Sequence, residues 1–351
     1  MRHAYGICGS LRRLYSTHGS GSKERSKWFP KKVSDLYRHY QNSTPHYIPY
    51  GEDGSGFYSD NALGHYDIIT NAKPIVMDAI NSMEINPTQI FNIVDYGSAD
   101  GGTSMPLFYQ CLPNAFVNFG FSSTAMHWLS RGPCPLPDAV FHMVSSCGEA
   151  KEAFAKQAAQ DWELILLQRA RELAPGGRMV INVPTIDEDG YFGGGRWDSG
   201  KVNVFQKLSS LWHTFALRGR ITKEEFVNTN IFGYKRVPEE VQTPFVNKDS
   251  RVRKAGLTLV CMETKHTPCA FHARWQREGG NARQHAEQFV NMLRSWSIHA
   301  FHAGLSKGRT EEEKTTILES FFNEYEDEVA AAPEEHSFEL MSSFLHIKKE
   351  Y

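Results

Sequence analysis

Residues 93–103 read Ile-Val-Asp-Tyr-Gly-Ser-Ala-Asp-Gly-Gly-Thr, and this stretch decides the fold. A mostly apolar run, Ile90 to Val94, ends in Asp95 and is followed at once by Gly97, Gly101 and Gly102. Ser104 to Leu112 then has helical spacing. The order is strand, tight glycine loop, helix. Glycine has no Cβ, so such a loop lets a ligand lie against bare backbone at the start of a helix. A plain strand-turn-helix without a ligand has the same local pattern.

The flanking sequence repeats the strand–helix alternation. Asn61 to Met83 has helical spacing, and Pro74 within it is expected to start a new helix or kink this one. Ala115 to Phe121 reads as a second strand, left by a loop or short helix over Ser122 to Ser130. Glu149 to Leu173 is the clearest helix, with Phe154, Ala158, Trp162, Ile165, Leu166 and Leu173 on one face and Pro175-Gly176-Gly177 as its stop. Arg178 to Val183 is a third strand. Alternation of this kind predicts an α/β fold with a mostly parallel sheet, whose ligands bind beyond the carboxyl ends of the strands. Asp95–Gly102 and Ser122–Trp128 both lie at such ends and are expected to face one cleft.

Beyond Val183 the pattern changes. Residues 184–200 read as glycine-rich loop, and 201–246 and 280–329 as amphipathic helices forming a cap. Leu257–Glu263 and Phe338–Ile347 are expected to complete the sheet as an antiparallel pair. The organisation expected is a basic N-terminal segment 1–26, an α/β core 27–183, a cap 184–330 interleaved with core strand 257–263, and a final strand within 331–351. The apolar side chains Trp212, Phe215, Phe226 and Phe232 are expected to shape a ligand pocket under the cap.

Composition narrows the function classes. The 351 residues are 40% hydrophobic with a formal net charge of −2, which argues against a dedicated nucleic-acid binder. No apolar stretch approaches the ~20 residues of a membrane helix. Six scattered cysteines with no Cys-x-x-Cys fit a reduced intracellular protein. His299 and His302, at i, i+3 without a third ligand nearby, argue against zinc. Residues 1–23 carry Arg2, Arg12, Arg13 and Lys23 with several serines and no acid before Glu24, the composition of a mitochondrial transit peptide. A disordered basic tail on a cytoplasmic protein reads the same way.

Four stretches together resemble one family: Tyr58-x-x-Asn61, Asp95 to Gly101, Ser122-Ser-Thr-Ala-Met-His-Trp-Leu-Ser130, and Pro175-Gly-Gly-Arg-Met-Val180. They are similar to the SABATH group of S-adenosylmethionine-dependent carboxyl methyltransferases. The spacing Asp-x-Gly-x-Ala-x-Gly is closer to their cofactor loop than to the dinucleotide pattern Gly-x-Gly-x-x-Gly. A nicotinamide-dependent dehydrogenase would also lack its middle glycine and later acid, and would leave the Trp128 region unexplained. His142-Met143 and Leu293 to Ser297 look closer to the animal and bacterial branch.

The resemblance implies a Rossmann-like sheet with a helical cap, S-adenosyl-L-methionine as cofactor, and conversion of a small carboxylic acid to its methyl ester. It implies cofactor contacts from Tyr58, Asp95, Gly97, Ser98, Asp100, Gly101, Thr103 and Ser122. It implies carboxylate binding by Trp128, paired in the plant enzymes with a Gln whose place here falls to His65. A protonated His65 would attract the acid more strongly. No catalytic base and no metal are implied, and family members are commonly homodimers.

One departure matters. Only twenty residues, 102–121, separate Gly101 from Ser122, where the family has two further strands and the acid that holds the cofactor ribose; no Asp or Glu occurs from Gly101 to Pro137. A sheet truncated on one side is expected, with the Asp95 strand at an edge. The alternative to an active enzyme is a non-catalytic or truncated member that binds a small acid or partners with a full-length copy.

Overall fold

The computed structural model describes residues 60–85, 91–97, 115–193 and 202–350. The basic N-terminus, Tyr58, the helix expected over Ser104–Leu112, and Ser98, Asp100, Gly101 and Thr103 lie outside the described residues.

In chain order the elements are α1 (Leu63–Asn81), β1 (Phe91–Asp95), β2 (Ala115–Ser123), α2 (Gly148–Glu172) and β3 (Arg178–Pro184). Then come α3 (Val204–Leu217), α4 (Lys223–Asn228), α5 (Pro238–Val246), α6 (Arg251–Lys254) and β4 (Leu257–Thr267). The chain finishes with α7 (Ala270–Glu278), α8 (Ala282–Gly304), α9 (Glu311–Ala331) and β5 (Leu340–Lys349). The sheet order is β1-β2-β3-β5-β4. β1, β2 and β3 run parallel, and β5 joins β3 and β4 antiparallel. Among the described residues β1 pairs with β2 alone and stands at the edge.

Helices cover both faces, which is why β3 and β5 read as nearly continuous apolar runs rather than as alternations. On one face Ile68, Ile69, Ala72, Ile75, Val76 and Ala79 form the stripe of α1, and they pack on Phe119, Phe121, Val180, Leu340 and Phe344. Pro74 sits inside this helix, which is a single element from Leu63 to Asn81. Burial of the stripe offsets the hydrogen bond that the proline lacks. On the other face Trp162, Ile165, Leu166 and Ala170 of α2 pack on Met179, Ile181, Leu345 and Ile347. Residues 179, 181 and 183 face α2 while 180 faces α1, the two-residue period of a strand.

The cap is built on α3, α4, α8 and α9. Its core is aromatic: Trp212 meets Phe301 and Phe321 edge-on at 5.0 and 4.9 Å, and Phe215 meets Phe321 at 5.6 Å. Glu225 clamps α4 to the start of α9, accepting from Arg309 Nε at 2.6 Å and Ser306 N at 2.8 Å. Trp212, Phe215 and Phe226, expected to line a pocket, instead fill this core. Phe232 packs against Gly132 and Phe154. Helical periodicity marks which face is buried, not what it is buried against.

The end of β1 is held to the end of β2. Tyr96 N donates to Phe121 O at 2.7 Å, and Ser122 Oγ donates to Tyr96 O at 2.8 Å. Gly97 has φ +83°, and a Cβ there would overlap that of Ala125. Gly97→Ala therefore combines a left-handed backbone with a steric clash. Its expected cost is about 1–3 kcal/mol, read as a lower urea midpoint with unchanged slope.

Candidate active site

A cavity of about 70 Å³ opens beyond the carboxyl ends of β2 and β3, beside Thr124 and Pro184. A single water needs roughly 10–15 Å³ on the same measure, so the space suits a small organic molecule. Trp128, Phe141, Met143 and Ile231 form one part of its wall. Phe205, Trp296, Phe338 and Leu340 form another. The polar lining consists of His65, Thr124, His127 and Lys235.

Each of these side chains is placed by a local constraint. Thr124 follows β2 with φ +52°, and its N–H donates to Asn182 O at 3.1 Å. A β-branched residue at positive φ is strained, by about 1–3 kcal/mol, and such strain clusters at functional sites. The turn lifts residues 125–129 over the strand ends. Ser130, next along, is gripped by α2: Asp161 Oδ2 accepts from Ser130 N at 2.8 Å and Asp161 Oδ1 from Ser130 Oγ at 2.7 Å. Gln157 donates to the same Asp161 Oδ1 at 3.0 Å.

An extended segment, 231–236, closes the cavity from the cap side. Leu129 N donates to Phe232 O and Tyr234 N to His127 O, both at 2.8 Å, around a bridge between Trp128 and Gly233. Gly233 lacks a Cβ where the rings of His127 and Trp128 come close, 3.3 and 3.7 Å from the place a Cβ would take. Arg236 then turns away behind Trp128. It is buried and donates to Ala158 O at 2.8 Å and Met126 O at 3.4 Å.

Of the residues expected from sequence, His65 of α1 and Trp128 line one cavity although 63 positions separate them. Asp95 is half-buried at the end of β1 beside Gly97. Ser122 is fully buried and its hydroxyl is committed to Tyr96 O, so it braces the β1–β2 ends. Sequence reasoning missed His127 and Lys235. The only sequence signal was a basic residue inside the aromatic run Ile231-Phe-Gly-Tyr-Lys235, which periodicity does not weigh.

Burial sets the protonation states. It lowers His65 to about 4, so this ring is a neutral donor or acceptor at neutral pH rather than the cation that would have drawn an acid in. Burial, and then the charges of Lys235 and Arg236, lower His127 to about 3. His142, stacked between Phe154 and Tyr234, falls to about 3, through burial first and then Lys235, Lys151 and Arg236. Burial alone brings Lys235 down to about 7.

The described residues also fit the methionine end of S-adenosylmethionine. The fold brings a carboxylate, Asp95, and the backbone of Gly97 to the carboxyl ends of the parallel strands, with Gly97 against Ala125. Among the described residues no cluster of three His, Cys, Asp or Glu side chains could hold a metal ion, and no helix is long and apolar enough to cross a membrane.

Comparison with known proteins gives the family. Residues 102–350 match the family described as SAM dependent carboxyl methyltransferase. The chain belongs to that family. The matched range starts after the Asp95–Gly101 turn and contains Trp128 and Lys235. Similar curated proteins include salicylate carboxymethyltransferase of Clarkia breweri, 27% identical over 46% of this chain and 44% of its own length. Jasmonate O-methyltransferase of Arabidopsis thaliana is 30% identical over 38% of this chain and 36% of its own. The matches thus span less than half of these relatives. A solved structure of loganic acid methyltransferase with SAH superposes with a TM-score of 0.60 at 16% identity, covering 87% of this chain and 99% of that one. That likeness shows the Rossmann-like methyltransferase fold of this family member.

The pH dependence of stability follows from the four lowered groups. Unfolded histidine titrates near 6.5 and lysine near 10.4. From about pH 10 to 7 the unfolded state binds a proton at Lys235 that the native state does not, and from 6.5 to about 3 the same holds for the histidines. Their contribution to stability therefore falls as pH falls through each window. Between pH 7 and 10, stability of the wild type should rise relative to Lys235→Met by about 1.4 kcal/mol per pH unit, one proton's worth. Urea melts at pH 7, 8 and 9 measure the difference.

Proposed function

We propose that the chain transfers a methyl group from S-adenosyl-L-methionine to the carboxylate of a small organic acid. The observation that carries the reading is Trp128 and His65, from separate elements, lining one small cavity at the carboxyl ends of the strands. A carboxylic acid has a pKa near 4 and is already ionised at neutral pH, so the reaction needs no general base. When bound, the cofactor supplies an electrophilic methyl group on a sulfonium. Asp95 and the Gly97 backbone would hold its methionine end. The Trp128 indole N–H would donate to one carboxylate oxygen and leave a lone pair free on the other. His65, kept neutral, lines the same wall with its one N–H directed at the Ala62 carbonyl, so it adds no charge that would pair away the nucleophile's. Orientation of this kind can supply roughly 7–11 kcal/mol of a barrier. The acids named for the curated relatives, salicylate and jasmonate, are small monocarboxylates and support the class of substrate.

The finer placement in the animal and bacterial branch rests on His142-Met143 and Leu293–Ser297. We also read the chain as lacking the two strands beyond β1. The twenty residues 102–121 and the lack of Asp or Glu from Gly101 to Pro137 support that reading. The same shortage favours a second reading, a member that binds a small acid without turning it over.

Trp128→Phe keeps the ring and removes the donor. A hydrogen bond to a charged group is worth about 1.5–3 kcal/mol, so kcat/KM for methyl transfer should fall roughly ten- to hundredfold. Titration calorimetry with S-adenosylhomocysteine separates the two readings. Micromolar binding, unchanged in Trp128→Phe, supports the enzyme. Absence of heat supports the non-catalytic member.

A further inference from the structure

Lys235 presents a problem that methylation of a simple acid does not solve. The residue is 6% exposed and lines an otherwise mostly apolar cavity. Its Nζ donates to Phe192 O at 2.5 Å and lies 4.2 Å from the centroid of Phe205. An ammonium has three donors, and here one is used. Among the described residues no carboxylate pairs with it. Its charge acts on His127 and His142, and the other groups acting on those two rings are Arg236, His65 and Lys151, none of them an acid. A buried ammonium without a counter-ion is strongly disfavoured unless something in the cavity completes it.

The position of the ammonium separates it from Trp128. In the extended segment 231–236, Gly233 and Lys235 point to the same side, two residues apart, which is roughly 6.6 Å along the chain. Gly233 is the residue against Trp128, whereas the Lys235 side chain runs on to Phe192 and Phe205. The cavity thus has two poles. At one stands the Trp128 indole, beside the neutral His65 ring. At the other stands the Lys235 amine, which an anion seated beside it would hold protonated. A cation on the reacting carboxylate would also lower the nucleophilicity of its oxygens, which argues for a different group there.

We infer that the acid bound in this cavity carries a second anionic group, seated on Lys235, so that the chain selects small dicarboxylic acids over monocarboxylic ones. The inference rests on the carboxylate site proposed above and adds what lies at its other end. One carboxylate of the diacid accepts from Trp128, the donor of the proposed carboxylate site. The other accepts from Lys235 in place of the missing counter-ion and stays unmodified, so the product is a monoester that keeps its charge.

Binding of matched probe pairs tests this without any methyl transfer. Glutarate is set against pentanoate and isophthalate against benzoate, by titration calorimetry at pH 7 on the full chain. The quantity read is the ratio of affinities within each pair. In the wild type the diacid should bind at least ~tenfold more tightly. In Lys235→Met, which keeps the stem and removes the charge, the ratio should fall to about one. A wild-type ratio near one overturns the inference without recourse to any variant. So does equal weakening of both acids in Lys235→Met, which would put the ammonium on the reacting carboxylate. A chain that shows the ratio but transfers no methyl group keeps this inference and loses the proposed activity. A chain that methylates monoacids with a ratio near one does the reverse.

Discussion

Two backbone hydrogen bonds, Leu129 N to Phe232 O and Tyr234 N to His127 O, join the α/β core to the cap at the point where the chemistry is placed. They lay the extended segment 231–236 against the turn that leaves β2. Trp128 comes from the core side of this seam and Lys235 from the cap side. The 126–127 turn presents Trp128 to the bridge with Gly233, and Gly233 is what lets the two approach over the His127 and Trp128 rings. Without the seam the cavity would lose one wall and its cation.

The seam is held from behind as well. Asp161 binds Ser130 through both carboxylate oxygens, and Arg236 reaches across to the carbonyls of Met126 and Ala158. These side chains leave the residues between them little freedom to relax. That matters for the proposed reaction, whose catalysis would be mostly orientation, because a shift on the order of 1 Å in a positioned donor costs heavily. The strained backbone at Thr124 belongs to the same arrangement. A fold that lets a β-branched residue remain at positive φ must determine the conformation from several sides at once.

Much of the frame was legible in the chain. β1, β2 and β3 are mostly apolar runs ending at Asp95, Ser123 and Pro184, and α2 shows a long apolar stripe, so the parallel part of the sheet could be read directly. The antiparallel pair at the end was legible for the same reason, although β4 runs on to Thr267 and β5 starts at Leu340. Trp128 was found through a motif, and His65 through its spacing from Tyr58. The pocket walls were not legible. Trp212, Phe215 and Phe226 were expected there and fill the cap core instead. Phe141, Phe205, Trp296 and Phe338 stand in their place because side chains from four separate segments converge on one point.

The sequence by itself determined the alternation of strands and helices, the glycine turn after β1 and the place of the Trp128 indole just past β2, because each depends on residues close together in the chain. Only the tertiary structure decided that His65 is neutral and that Lys235 is enclosed without an acid beside it among the described residues. Protonation and pairing depend on which distant segments exclude water from a side chain, and that exclusion arises only when the cap is seated on the core.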